Sequence, residues 1–304
     1  MSIVVRPFEP ADAEGYALVR RAALPFLLVT AESVAFHFAE AHPDMHYRPL
    51  VAERNGEVIG TAQVGVAHEA SRPGQGFANV HVHPDHRGLG AGTLLSRAAE
   101  EHLVEVGAEA AYAWVVDEPG HRAFAERRGY RPGRSARFLR LDLAALPAPL
   151  PLPDGVELRT AEDFADDPRP VFDLDAGCAA DEPGDVDAGF ADYPQWLRET
   201  WNHPLLNREL STIAVVDGEP VAFTAARTDG TARYLTGMTG TARAHRGRGL
   251  ASLVKSDSLH RARAAGLTEA FTGNDAGNVP MLAVNARLGY ADCGGEVRCV
   301  RELG

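Results

Sequence analysis

The chain repeats itself, and the repeat constrains its fold more than any other feature of the sequence. His86-Arg87-Gly88-Leu89-Gly90-Ala91-Gly92 returns as His245-Arg246-Gly247-Arg248-Gly249-Leu250-Ala251, an offset of 159 (246 less 87). Arg128-Gly129-Tyr130 returns as Leu288-Gly289-Tyr290 at an offset of 160, and Gly107 as Gly266 at 159. Asn55-Gly56 is answered by Asp217-Gly218 at 162. A period of that length is a whole domain, and 304 residues accommodate two. Between the copies lies Leu146-Pro147-Ala148-Pro149-Leu150-Pro151-Leu152-Pro153-Asp154-Gly155. Prolines at alternate positions donate no ladder hydrogen bonds and favour an extended spacer. The expected organisation is therefore a first domain over 1–145, a linker over 146–155 and a second domain over 156–304.

Each half has the same order of elements. A first strand (Val4-Val5-Arg6; Val156-Glu157-Leu158-Arg159) leads into a helical, loop-rich stretch. Asn55-Gly56 and Asp217-Gly218 then mark hairpin turns, because both residues tolerate the left-handed backbone of a two-residue loop. A strand (77–83; 234–242) runs into the glycine-rich segment. A helix follows, apolar at Leu94, Leu95, Ala98 and Leu103 or at Leu253, Leu259, Ala262 and Ala265. Another strand (Ala110 to Val116; Glu269 to Thr272), a short helix and closing strands complete the unit. Such an order predicts the α/β class: in each half a twisted, mixed sheet flanked by helices.

A strand that enters a glycine-rich turn at a helix N-terminus makes an anion site, since unpaired amides converge and the helix dipole adds positive charge. No Gly-Lys-Ser/Thr follows, so the turn is not a P-loop, and the glycine spacing is not that of a dinucleotide fold. The pattern Arg87-x-x-Gly90-x-Gly92, repeated as Arg246-x-x-Gly249-x-Ala251, resembles the acyl-CoA loop of the GNAT acyltransferase superfamily. The resemblance spans both halves, and their arrangement resembles the mycothiol synthase-like tandem GNAT proteins. It implies that Arg87, Gly88, Leu89, Gly90, Ala91 and Gly92, and Arg246, Gly247, Arg248, Gly249, Leu250 and Ala251, hold the pyrophosphate of acetyl-CoA or another acyl-CoA. The strand-end residues Val82 and Thr241 would offer backbone hydrogen bonds to the pantetheine arm. The second half adds Asn274, Asn278, Met281, Asn285 and Leu288-Gly289-Tyr290, similar to a GNAT subgroup with an asparagine beside the pantetheine. Asn278 also suits a helix cap. The first half has Glu118 there, so it reads as a diverged copy that retains the phosphate loop, and the second half as the catalytic one.

The family resemblance implies direct acyl transfer to a primary amine in a ternary complex. That chemistry needs a neutral amine, a donor for the oxyanion and a proton for the leaving thiolate. Many GNAT enzymes place an acidic tyrosine four residues before the last-helix glycine. Here those positions are Asn285 and Ala125, and Asn285 can donate a hydrogen bond but not a proton. For the base, the acidic stretch Asp181-Glu182-Pro183-Gly184-Asp185 falls in the region that forms the acceptor pocket of the family, against the simpler reading of a solvated turn. Asp275 suits turn capping. The expected acceptor is a small molecule. A non-catalytic acyl-CoA sensor or scaffold and a protein N-terminal acetyltransferase are the alternatives.

The remaining features exclude more than they assign. His81, His83 and His86 hint at a metal, but no carboxylate or cysteine completes the set, so no metal is expected. Tyr193, Trp196 and Trp201 read as helix packing, and Cys178 as an inert thiol. A net charge of −12 argues against nucleic acid. No apolar run approaches membrane-spanning length, no leader is evident in Met1 to Pro7, and the three cysteines suggest no disulfide framework. A cytoplasmic bacterial protein is expected. Lys255 is the only lysine, which sets aside self-acylation of exposed amines.

Overall fold

The computed structural model describes residues 2–68, 70, 73–181 and 192–304. The chain forms two compact units, residues 1–136 with 294–304 and residues 137–293. In the first unit the elements are β1 (Val4–Pro7), α1 (Ala13–Ala23), α2 (Ala31–Ala39), β2 (Leu50–Arg54), β3 (Glu57–Val66), β4 (Gln75–Val82), α3 (Ala91–Glu105), β5 (Ala110–Val116) and α4 (Pro119–Glu126). Next comes β6 (Arg131–Asp142), whose residues 131–136 lie in the first unit and 137–142 in the second. The second unit continues with β7 (Glu157–Thr160), α5 (Arg169–Ala179), α6 (Tyr193–Trp196), β8 (Thr212–Val216), β9 (Glu219–Thr228), β10 (Arg233–Thr241), α7 (Leu250–Ala264), β11 (Glu269–Asp275) and α8 (Val279–Arg287). Finally, β12 (Ala291–Glu302) leaves the second unit at Cys293 and supplies residues 294–302 to the first.

The fold is the mixed α/β one expected. In the first unit the strand order is β1-β2-β3-β4-β5-β12, and in the second β6-β11-β10-β9-β8-β7. Contacts divide the chain at 136/137 and 293/294, whereas the sequence repeat divides it at residues 146–155. The difference arises because the neighbour of β5 is the last strand of the chain, and because Leu143 and Leu146 are buried in the core of the second unit.

Local chemistry explains the elements. Both hairpin turns have positive φ at both residues, 57° and 81° at Asn55-Gly56 and 52° and 86° at Asp217-Gly218. This is the primed turn that matches strand twist. Leu95, Ala99 and Leu103 of α3 are fully buried against β3, β4 and β5, each leucine contributing about 2 kcal/mol by burial. Leu94 and Ala265, expected on the inner helix faces, are exposed. The first lies one residue off the buried stripe and the second caps the end of α7.

Candidate functional site

The glycine-rich segment has the same geometry in both units. Gly88 and Gly90 have φ of 80° and 98°, and Gly247 and Gly249 have 78° and 77°. A Cβ at any of the four would meet no atom within 4 Å, so glycine is required here by backbone conformation and not by crowding. Among the described residues, the amides of residues 88–92 and 247–251 donate to no protein acceptor. Each row of five opens α3 or α7, both 15 residues long, so the helix dipole reinforces the amides. The arrangement is an anion cradle.

Above each cradle the sheet parts. β4 and β5 pair in parallel only from Gln75↔Ala110 to Phe77↔Tyr112, and β10 and β11 only from Arg233↔Glu269 to Thr236↔Thr272. Beyond those points the strands splay, leaving Val82 and Thr241 at the two strand ends beside a cavity. The cavity measures about 660 Å³ in the first unit and about 1060 Å³ in the second. Each is lined by its own loop, including Arg87, Gly88 and Gly90, or Arg246, Gly247 and Gly249. The units differ in two respects. β10 shifts register between Thr236 and Thr239, a bulge that takes Gly237 and Met238 off the ladder, whereas β4 pairs with β3 without a break from Gly60↔Val82 to Val66↔Gly76. In the first unit the Asn79 side chain also accepts a hydrogen bond from the Trp114 amide across the splay, at 2.8 Å.

The residues expected to carry the chemistry of the second unit take varied places. Asn278 caps α8, its side chain accepting from the Met281 amide at 3.2 Å, and it lines the cavity beside Asn274. Asn285 is fully buried behind Asn274 and donates to its side-chain oxygen at 2.6 Å. It supports Asn274 and does not itself line the cavity. Asp181 lines the cavity but is held by two arginines of the loop: Arg243 Nε donates to it at 2.7 Å and Arg246 at 2.5 Å. Those partners keep its carboxyl well below the usual carboxylate range, so it is an anchor for the loop and a poor proton acceptor. Arg246 Nε also donates to the Thr241 carbonyl at 3.1 Å, and Arg248 contacts His245 at 2.7 Å. Glu182 and Asp185 lie outside the described residues. Asp275 accepts from the Gly277 amide at 2.8 Å, as turn capping requires.

Other side chains explain their sequence patterns. His83 and His86 lie beside each other, with ring centres 5.6 Å apart, while burial and the nearby Arg20, His121 and Arg87 charges push His81 down to about 3. Among the described residues no group of His, Cys, Asp and Glu is placed to hold a metal. Trp196 stacks on Trp201 at 5.3 Å and donates to the buried Asp175 carboxylate at 2.8 Å, so these aromatics are core. Burial pushes the Cys178 thiol up to about 11. Lys255 also lines this cavity, a place not expected from the sequence. It is 1% exposed, faces the cavity of the second unit, and has its ammonium 5.7 Å from the centre of the Tyr290 ring. Burial pushes its pKa down to about 7. The available signal was helical spacing, because Lys255 lies on the wide face of α7 that also buries Leu259 and Ala262.

Comparison with known proteins matches these features. The model of the acetyltransferase (GNAT) family matches residues 18–130 and again residues 171–290. A mycothiol acetyltransferase of Nocardia farcinica is 29% identical over 289 residues, covering 93% of this chain and 91% of its own. Among solved structures, a GCN5-related N-acetyltransferase from Sphaerobacter thermophilus aligns with a TM-score of 0.71 at 22% identity, over 99% of this chain and 96% of that one. A tandem GNAT protein from the clavulanic acid biosynthesis pathway gives 0.71 at 24% identity, over 100% of this chain and 99% of its own. No helix among the described residues is long and apolar enough to cross a membrane.

Proposed function

Since this chain belongs to the acetyltransferase (GNAT) family, we propose that it moves an acetyl group from acetyl-CoA to the primary amine of a small molecule, and that the transfer takes place in the second unit. The observation that carries this reading is the splay of β10 from β11, with five free amides at its far end and a bulge within it. The amides of residues 247–251 would hold the pyrophosphate, and the parted strands would receive the pantetheine arm. Asn274 and Asn278 would face that arm. The bulge frees backbone donors at Gly237 and Met238, which line the cavity where the thioester carbonyl would become an oxyanion. The amine attacks that carbonyl directly within the ternary complex, and the thiolate leaves. With Asp181 engaged by Arg243 and Arg246, this unit offers no strong carboxylate base among the described cavity residues, and the amine gives its proton to water. A small-molecule acceptor is supported by the similarity to mycothiol acetyltransferases. The cradle of the first unit would bind CoA as well, in a smaller cavity that Glu118 lines.

The test combines calorimetric titration with acetyl-CoA and an acetyl-transfer screen over small amines, on wild type and on Gly249→Glu and Gly90→Glu. Each substitution puts a carboxylate into one cradle. Gly249→Glu is expected to remove transfer to the second-unit acceptor and Gly90→Glu to leave it. The reverse pattern would place that transfer in the first unit, and a wild type that binds no acetyl-CoA would overturn the reading.

A further inference from the structure

The first unit holds a buried carboxylate and a half-buried arginine that do not meet. Glu296, brought by the last strand of the chain, is 6% exposed and has no hydrogen bond or ion pair among the described residues. Arg20 of α1, half-buried, has a buried Nε without a partner among the described residues, and no ion pair joins it to Glu296. His81, 7% exposed, lines the cavity with its Nδ1 unpartnered among the described residues, and the buried Thr61 lies opposite it on β3. Buried polar atoms in folded proteins are nearly always satisfied, and a buried carboxylate without a partner costs more than a paired one. Three such groups on one side of the sheet, Glu296, Arg20 and His81, point to an absent ligand.

Strand register places them together. Thr61 pairs with His81, and Phe77 with Tyr112, so Thr61, Phe77, His81, Tyr112 and Val116 share one face of the sheet. Glu296 pairs with Val116 and joins that face. It is the face opposite to α3 and the cradle of residues 88–92, whose helix packs on Ala78, Ala111 and Val297. Arg20 comes from α1, which covers this face, and its charge acts on both His81 and Glu296. Of these residues His81 lines the cavity at the splay, Glu296 pairs with the lining residue Val116, and Arg20 lies about one helical turn before the lining residue Ala23.

We propose that the first unit has an acceptor site of its own, for a small α-amino acid whose ammonium rests on Glu296 and whose carboxylate rests on Arg20, with His81 and Thr61 beside them. The inference rests on the family reading only for the acetyl donor; the zwitterion site follows from the charges alone. In the transfer step the amine nitrogen attacks the thioester carbonyl, so a C–N bond forms and the C–S bond breaks. Of the two protons that the ammonium loses, one passes to Glu296 and on to solvent, and the other ends on the CoA thiol. Burial pushes the Glu296 carboxyl up to about 7, with Arg20 opposing, which suits a group that must both hold an ammonium and accept its proton. Across the same face, Arg298 lies over the Tyr112 ring at 4.3 Å, and His81 stays neutral above about pH 3.

The experiment has two parts. First, calorimetric titration with the proteinogenic L-amino acids, L-alaninamide and propionate, without CoA, on wild type, Glu296→Gln and Arg20→Gln. An amino acid is expected to bind wild type and to lose about tenfold or more in affinity in each variant, as for a charge-assisted contact. The amide and propionate should bind weakly. In wild type the affinity should rise as pH increases through about 7, because Glu296 must be ionised; this readout does not depend on whether the variants fold. Second, acetylation of that amino acid should survive Gly249→Glu and be lost with Gly90→Glu. No amino-acid binding, equal affinity across the variants, or acetylation that follows Gly249 instead of Gly90 would each overturn the proposal. Failure of acetyl-CoA to bind would remove the family reading and leave the first part to be judged alone.

Discussion

Lys255→Met should stabilise the second unit, and its effect should fade as pH rises. The lysine is 1% exposed in the wall of the cavity, and its amine has no hydrogen-bond partner among the described residues apart from the Tyr290 ring face. Burial lowers its pKa from 10.5 to about 7. At about 1.4 kcal/mol per pKa unit, the buried amine costs about 5 kcal/mol when both states are protonated, about 4 at pH 7 and about 2 at pH 9. The sign follows from proton counts. Between pH 7 and 10.5 the unfolded chain holds a proton on this lysine that the folded chain does not, so wild-type stability rises with pH across that window. Below pH 7 both states are protonated and the deficit is constant; above 10.5 it is gone. Methionine keeps most of the packing and has no proton to lose. Urea titrations at pH 7 and pH 9, followed by the fluorescence of Trp196 and Trp201, measure the gap between the two proteins. The Cys178 thiol, pushed up to about 11, and the Glu296 carboxyl, pushed up to about 7, titrate in both proteins and cancel in the difference. Equal stabilities at pH 7, or a gap that does not shrink by pH 9, would refute an unpaired buried amine at Lys255.

Three further outcomes are expected. Asp181→Asn should leave kcat within about threefold and tighten CoA binding, since it removes an anion from beside the cradle and frees Arg243 and Arg246; a hundredfold loss of kcat in steady-state assays would restore Asp181 as the base. Gly240→Ala should destabilise by about 1–3 kcal/mol in denaturant titrations, because the new Cβ would stand 2.6 Å from the Cys178 sulfur and 2.8 Å from the Phe223 ring. Trp196→Phe should cost about 2 kcal/mol in the same assay by deleting the indole donor to the buried Asp175, and an unchanged midpoint would show that the bond carries no net stability.

How much of the site is legible in the sequence depends on how local each feature is. The cradles are legible because alternating positive φ at Gly88 and Gly90, and at Gly247 and Gly249, can be held without strain almost only by glycine, so the backbone writes itself into the residues. The hairpin turns are legible for the same reason. The bulge in β10 is not, since Thr236-Gly237-Met238-Thr239 differs from an unbroken strand only in its register against β9. Asp181 read as a base because it stands in an acidic stretch, whereas its partners Arg243 and Arg246 lie 62 and 65 residues away and meet it only in the fold. Glu296 is harder still: nothing near it in sequence announces a site, and it becomes interesting only when the last strand delivers it to the first unit. These misses have one physical origin. A loop that binds through its backbone selects its own residue types, whereas a side chain that acts by charge takes its meaning from whatever the topology places around it. The two units illustrate the point, for their cradles are nearly superimposable in kind, while the groups that would choose an acceptor differ. The first unit has His81 in its cavity with the Arg20 charge acting on it and on Glu296, and the second has a bulge, Lys255 and an arginine-bound aspartate. On the proposed reading, the repeat keeps the donor half of the chemistry in residues that can be read directly and leaves acceptor choice to residues whose roles depend on the fold.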